Sequence, residues 1–381
     1  IINPKRSDSD YPFQELAGVG LSYKFASYLL GDLLEDELDL VCLGTVADVV
    51  PLVGENRILV KNGLKKLNNT GRIGLSSLRE VAGIKNKEIT TNSVGFILGP
   101  RINACGRLGS CEAALKLLLC TSEDEAQLLA RELHLKNQER QRIEGRIMEE
   151  ALARIEGEVD FSQERVIVLH GEDWHQGVLG IVAAKISDRF YRPAIVISFA
   201  GDIGKGSARS IENFHLFKGL EQCGEYLLSF GGHKHAAGLS ILKKNLDNFK
   251  KSINKFALEK LSPEDLQPSL DIDFELKLND FSHSLLEDIK ILEPFGEANP
   301  RPLFSSSNVE IKSQPVVLGR DTLKFWVSCG KAAYPAVGFG MGSYFDLVNS
   351  SKTIDLAYRL SLDTYNGNNQ LQLEIEDLRL P

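Results

Sequence analysis

Residues 165–211 read RVIVLHGEDWHQGVLGIVAAKISDRFYRPAIVISFAGDIGKGSARSI. Arg165 to His170 is a strand pattern, Gly177 to Phe190 carries apolar residues at helical spacing, and Pro193 to Phe199 is a second strand pattern. Strand, helix and strand in that order predict an α/β unit. Beyond it, GKGSARSI (204–211) reads as a polar, glycine-rich strand or loop, Phe214 to Cys223 as a helix, and Asp247 to Leu261 as a basic helix.

Upstream, Ser122 followed three residues later by Glu125 is a capping-box signature, and a helical pattern runs from there to about Ile155. Leu128, Leu129, Leu133, Ile143, Ile147, Ala151 and Ile155 keep helical spacing, whereas Lys136 to Arg142 is entirely polar. The expectation is one helix of ~34 residues, ~50 Å long, that crosses between two domains, packed at each end and wet in the middle. Residues 12–135 read as α/β or mostly helical. One helix is expected over Phe13–Leu30, and an apolar segment over Asp36–Val50 stops at Pro51, which places Asp48 in the last turn. Downstream, Pro263 and Pro268 mark a linker. From Leu270 short alternating runs such as DIDFEL, LKFWVSC and LQLEIEDLRL, separated by Gly, Asn and Pro, predict a small all-β domain.

With 381 residues, 43% apolar and 25% charged, the chain has the composition of a globular protein of two or three domains. It contains no stretch of 18 apolar residues and no signal-like opening, so a cytoplasmic protein that spans no membrane is expected. Six cysteines (Cys42, Cys105, Cys111, Cys120, Cys223, Cys329) form no C-x-x-C pair, so neither a zinc ribbon nor a disulfide framework is predicted. The opening Ile1-Ile2-Asn3-Pro4 lacks an initiating Met and reads as the end of an apolar element, so a fragment is expected. The net charge of −8 is concentrated: residues 261–300 hold ten acids against two lysines. Residues 51–100 and 201–260 are locally basic, which leaves room for a polyanionic partner.

Three glycine-rich clusters stand out: GPRINACGRLG (99–109), GKGSARS (204–210) and FGGHKHAAG (230–238). Glycine admits close backbone approach, and Ser, Arg, Lys and His supply donors for phosphate. None is a P-loop or a dinucleotide fingerprint. Two such clusters in one domain favour an anion site over two turns. His233 and His235 form an H-x-H pair that would share a face in a strand; a phosphate donor is favoured over a metal ligand because no acid sits beside them. His175 precedes a helix N-terminus, where anions are attracted. Asp48 lies in apolar sequence, where a carboxylate is costly unless paired or bound to metal.

GTVADVVPLVGENR (44–57), GPRINACGRLG, WHQGVLGIVAAK (174–185), GKGSARS, FGGHKHAAG and LEPFGEANPRPLF (292–304) together resemble consecutive motifs of the RecJ family, single-strand-specific exonucleases of the Asp-His-His phosphoesterase superfamily. The resemblance spans nearly the whole chain in order. It implies an α/β architecture in four parts: the C-terminal part of an Asp-His-His domain (1–121), a connecting helix (122–157), an associated substrate-binding domain (158–262), and a linker with a C-terminal OB-fold β-barrel (263–381).

The resemblance further implies that Asp48 is a catalytic metal ligand, and that Ser207, Arg209 and His233, with Arg107 as a further candidate, contact nucleic-acid phosphates. Phe325 and Trp326 are candidates for base stacking, with Tyr334 and Phe339 beside them; alternation along the strands places at least half of these aromatics in the core. The implied reaction is 5′-to-3′ hydrolysis of single-stranded DNA in repair and recombination, assisted by two ions of Mn²⁺ or Mg²⁺. Single-stranded DNA, a single-strand-binding protein and a helicase are the implied partners of a monomer. The family's Asp-x-Asp and Asp-His-His motifs are absent, and Asp8-Ser9-Asp10 lacks the preceding apolar strand, so this chain alone is expected to be inactive. Two other readings stand beside it: a phosphodiesterase for short oligonucleotides, and a non-catalytic nucleic-acid-binding protein.

Overall fold

The computed structural model describes residues 2–319, 321–330, 332–363 and 370–381; the side chain of Cys329 and the expectation at Ile1 lie outside them. The chain opens with helices α1 (Gly18–Leu30), α2 (Leu38–Ala47), α3 (Gly54–Asn68), α4 (Ile73–Val81), α5 (Thr91–Ser93), α6 (Gly99–Leu108), α7 (Glu112–Leu119) and α8 (Glu123–Glu158). Next come β1 (Ile167–Glu172), α9 (Gln176–Phe190), β2 (Ala194–Ala200), β3 (Ile203–Arg209), α10 (Leu216–Gln222), β4 (Leu227–Gly232), β5 (Ala236–Leu242) and α11 (Leu246–Lys260). The last part holds β6 (Phe274–Glu275), α12 (His283–Ile291), β7 (Phe304–Ile311), β8 (Val316–Leu318), β9 (Thr322–Cys329), β10 (Ala332–Phe339), α13 (Phe345–Ser350), β11 (Thr353–Asp363) and β12 (Gln370–Arg379). Before β1 the described residues form helices and loops but no strand.

The chain forms two compact units: residues 1–69, 89–95 and 270–381 in one, 70–88 and 96–269 in the other. The second is built on a five-stranded sheet of order β1-β2-β3-β5-β4. β1 and β2 run parallel through the crossover helix α9, and the other pairs are antiparallel. Because side chains alternate along a strand, β1 and β2 feed two cores. Val168, Ile195, Ile197 and Phe199 pack with Phe249 and Ile253 of α11, whereas Ile167, Leu169, Ala194 and Val196 pack with Ile147, Ala151 and Ile155 of α8 and Val178 and Val182 of α9.

Ser122 caps α8, the Glu125 N–H donating to Ser122 Oγ at 3.5 Å. Its polar middle is wet on one face, where Gln138, Glu139, Gln141 and Arg142 are exposed, and packed on the other. Asn137, Arg140 and Glu144 are buried, Arg140 Nε donates to Asn137 Oδ1 at 3.2 Å, and the Glu144 carboxylate is gripped by both Arg140 and Lys185 of α9. A helix can bury polar residues this way only because each finds its partner on an adjacent turn or element.

The first unit joins helices α1–α3 to the C-terminal sheet. That sheet corrects the expectation of an OB-fold β-barrel: its seven strands run β6-β7-β11-β12-β10-β9-β8 and end on β6 and β8, so it is not a closed barrel. The reason lies in β7, whose second edge is shared. β6 takes Phe304 and Ser305 at one end, and β9 pairs only at the other, through Glu310–Ser328 and Ile311–Val327. Nor is the region all-β: α12 and α13 pack into its core through Leu286, Ile289 and Val348. At the centre of that core Tyr358 is fully buried, its hydroxyl 2.8 Å from Ser306 Oγ, which donates to Leu276 O at 2.6 Å.

Candidate functional site

In the second unit, three separated segments meet at the first turn of α9. The entry to that helix is fixed by Trp174, 2% exposed, whose Nε1 donates to Glu150 Oε2 on α8 at 2.7 Å. Asp173 takes a left-handed φ of 55° and donates its N–H to Phe199 O at 3.2 Å. His175 then caps the helix, its Nδ1 accepting from the Gly177 N–H at 3.2 Å.

Arg107, in the last turn of α6, donates from Nη1 to Gly177 O at 3.3 Å. Gly177 must be glycine for the helices to meet, since a Cβ there would lie 2.1 Å from Arg107 O. One turn on, a Cβ at Gly180 would lie 3.0 Å from Ser207 Oγ and 3.4 Å from Arg209 Nη2. Arg107, Ser207 and Arg209 thus converge on the start of one helix, although up to a hundred residues separate them in sequence.

The electrostatics of this cluster suit an anion. Arg209 is half-buried and donates from Nη1 to Ala208 O at 2.9 Å; burial lowers its pKa, and the charge of Arg107 lowers it further. Arg107 is exposed as a residue, but its guanidinium is crowded by protein. Desolvation lowers its pKa first and the charge of Arg140 second, against an opposing pull from Glu144. Two guanidinium groups that repel one another in a partly desolvated place gain most from a shared phosphate. Ser207, Gly238 and Gly231 form one row across β3, β5 and β4 on the floor of an open cleft of about 420 Å³, and Gln176 and Leu179 of α9 form a wall.

His233 is exposed in the loop between β4 and β5, its N–H donating to Ala236 O at 2.8 Å. Since Ala236 pairs with Arg209, the loop stands at the Arg209 end of the sheet. The H-x-H pair therefore does not lie in a strand. Lys234 between them is engaged elsewhere, by Glu212 at 2.7 Å.

In the first unit, Asp48 is the exposed C-cap of α2. Because it is exposed, the cost of burying a carboxylate that made it conspicuous in sequence does not arise. Among the described residues no three His, Cys, Asp or Glu side chains are grouped to hold a metal, so the residues present do not fit a complete two-ion site. The motif around Asp48 is structural at its far end. Asn56, fully buried, donates to Glu15 O at 2.6 Å and to Pro51 O at 3.1 Å. Arg57 Nη2 donates to Leu292 O at 2.8 Å, capping α12, and Leu52 N–H donates to Glu297 O at 2.7 Å. The LEPFGEANP and PLVGENR motifs therefore bind each other.

The adjacent aromatics of β9 divide between the two faces of the sheet. Phe325 is 1% exposed in the core, which removes it as a stacking residue, whereas Trp326 is 37% exposed. Tyr334 is partly buried against Phe281, and Phe339 is exposed. The sequence carried no local signal for Glu150 as the partner of Trp174, or for what Gly177 and Gly180 make room for.

Residues 163–259 match the model of the DHHA1 domain, and residues 272–377 that of the RecJ OB domain. The chain is 35% identical over 380 residues to the single-stranded-DNA-specific exonuclease RecJ of Bacillus subtilis, covering 99% of this chain and 48% of that protein. It is 34% identical to the protein of that name from Salmonella typhimurium and 36% identical to that from Haemophilus influenzae. In both cases 99% of this chain is covered, with 70% and 69% of the relative. The chain thus spans between about half and about seven tenths of the length of these curated relatives. The crystal structure of RecJ from Thermus thermophilus in complex with Mg²⁺ superposes with a TM-score of 0.83 at 30% identity, covering 98% of this chain and 57% of that one.

Proposed function

The chain belongs to the RecJ family of single-stranded-DNA-specific exonucleases, and on that premise we propose that it grips the end of a single DNA strand by its phosphates. Arg107, Ser207 and Arg209 supply the contacts, with His233 at the rim, in the service of 5′-to-3′ phosphodiester hydrolysis during repair and recombination. One observation carries the reading: the three residues converge on α9, with two mutually repelling guanidinium groups beside an open cleft. The parts proposed as domains are residues 1–121, 122–157, 158–262 and 263–381.

The solved Thermus thermophilus relatives are complexes with Mg²⁺ and with Mn²⁺. For this chain Asp48 is proposed as one metal-binding carboxylate. The described residues add no cluster around it, so no hydrolytic step is assigned here. What the chain itself supplies is positioning, because fixed guanidinium and hydroxyl donors orient a phosphate without reorganising. Trp326, exposed on β9, is proposed to stack on bases further along the strand, which favours a long substrate over a short oligonucleotide. A single-strand-binding protein, a helicase, a monomeric state and a cytoplasmic location complete the proposal.

The test is a binding titration of this chain with a labelled single strand and with the same sequence as a blunt duplex, at low and moderate salt. Preference for the single strand with an affinity that falls steeply with salt supports the reading. Equal binding of both, or none at low salt, refutes it.

A further inference from the structure

Two glycines on the floor of the cleft serve no purpose internal to the chain. Neither Gly231 nor Gly238 has a positive φ, a Cβ at Gly231 would meet nothing within 4 Å, and one at Gly238 would meet only Gly206 O at 3.8 Å. Glycine weakens a strand interior and marks a place where a ligand approaches the backbone. One row beyond Ser207 on the same face, Lys205 of β3 pairs with Ser240 of β5, which pairs with Ser229 of β4. All three line the cleft, and among the described residues Lys205 has no ion-pair partner, unlike Lys234 and Lys243, which are held by Glu212 and Glu172. An unpaired lysine beside two hydroxyls makes the expected ligand an anion. It is not an inner phosphate of the strand. In 5′-to-3′ hydrolysis the phosphodiester next to the terminal phosphate is the one cut and has to reach metal ions, whereas the described lining of the cleft contains no carboxylate, imidazole or thiol. What remains is the outward side of the terminal phosphate, where a 5′ end begun from a nucleoside triphosphate carries its further phosphates.

We propose that Lys205, Ser229 and Ser240 hold the outer phosphates of a 5′-polyphosphorylated single strand, whose innermost phosphate sits on Arg107, Ser207 and Arg209. The proposal rests on the reading of that terminal site given above. Side chains at i and i+2 of β3 share one face, so Lys205 and Ser207 present their donors in line along the cleft. Rows two residues apart are separated by roughly 6.5 Å, a step that the P–O–P links of a triphosphate cover and a monophosphate does not. The bare floor at Gly231 and Gly238 leaves the polyanion room to lie against the sheet. The cleft thereby lets the protein engage strands begun de novo as well as strands that end in a monophosphate.

The test compares thymidine 5′-monophosphate, which fills only the terminal site, with thymidine 5′-triphosphate, which fills both. Each displaces a labelled 5′-phosphorylated single strand from the chain in the absence of divalent ions. The triphosphate should bind tighter than the monophosphate by about tenfold or more. Lys205→Ala should weaken triphosphate binding by roughly 3- to 5-fold and leave monophosphate binding unchanged. The S229A/S240A double variant should show the same pattern, and because it alters no charge, a general electrostatic effect cannot produce it. No preference for the triphosphate, no change in either variant, or equal weakening of both ligands would overturn the proposal and leave the terminal site standing. Arg209→Ala separates the two levels: it should weaken both ligands. If it affects neither, the terminal site itself falls, and the outer one with it.

Discussion

Gly180 on α9 lies so close to Arg209 on β3 that a Cβ on the glycine would stand 3.4 Å from the arginine's Nη2 and 3.0 Å from Ser207 Oγ. The helix therefore sets where these donors sit. Gly180→Ala should keep the fold, because alanine gains about 1 kcal/mol of helix propensity and Ser207 can rotate away. Its affinity for a single strand should nevertheless fall. Gly177→Ala differs, since its Cβ would meet the backbone carbonyl of Arg107 at 2.1 Å, and backbone cannot rotate aside. It should cost roughly 1–3 kcal/mol of stability as well as affinity. Thermal melts and binding titrations of both variants distinguish the cases; equal melting temperatures would show that α6 and α9 do not bear on each other at Gly177.

How far the sequence anticipates this arrangement depends on whether the signal is local. α9 and its flanking strands were legible because apolar runs of two periods alternate, and the Ser122 cap marked the start of α8. β4 and β5 were not, because the glycines of FGGHKHAAG carry no apolar alternation to mark the strands in which Gly231 pairs with Gly238. The buried face of α8's middle has no local mark, because Lys185, which holds Glu144, comes from another helix. For Phe325 and Trp326, alternation separates two adjacent residues but does not say which of them faces the core. The sharing of one edge of β7 between β6 and β9 is a matter of tertiary register with no mark in the sequence.

The Glu144 network supplies a second prediction. Its carboxylate is buried between Arg140 and Lys185, and removing one partner of a buried pair leaves the other charge unsatisfied. Glu144→Ala should cost about 3–5 kcal/mol. The double change Arg140→Met with Glu144→Leu should recover most of that loss, since apolar side chains of similar size carry no desolvation penalty. Urea melts of the three proteins decide; a double variant no better than E144A would mean the network is held by more than charge pairing.

Thiol chemistry gives a third. Burial pushes the Cys42 thiol up to about 12, with the charge of Asp39 adding to the shift, whereas Cys111 is exposed. At pH 8.5 iodoacetamide should label Cys111 within minutes and Cys42 only after denaturant is added, as read by peptide mapping. The raised value means that the folded state binds the proton more tightly than the unfolded one. The associated stability is therefore present below about pH 9 and is lost as pH rises toward 12. Early labelling of Cys42 would contradict the packing of α2.

The central claim, that Arg209 and its neighbours hold a strand by its phosphates, is tested most directly by comparing two cation deletions. Arg209 sits beside Arg107 at the start of α9 and presents a planar fork, whereas Lys234 is an exposed point charge already neutralised by Glu212 at 2.7 Å. The measurement is the dissociation constant of a labelled 5′-phosphorylated single strand for the unmodified chain, Arg209→Ala and Lys234→Ala at one low salt concentration. The account predicts that R209A weakens binding by about tenfold or more while K234A stays within about twofold. Equal effects of the two substitutions, or full affinity in R209A, would contradict it.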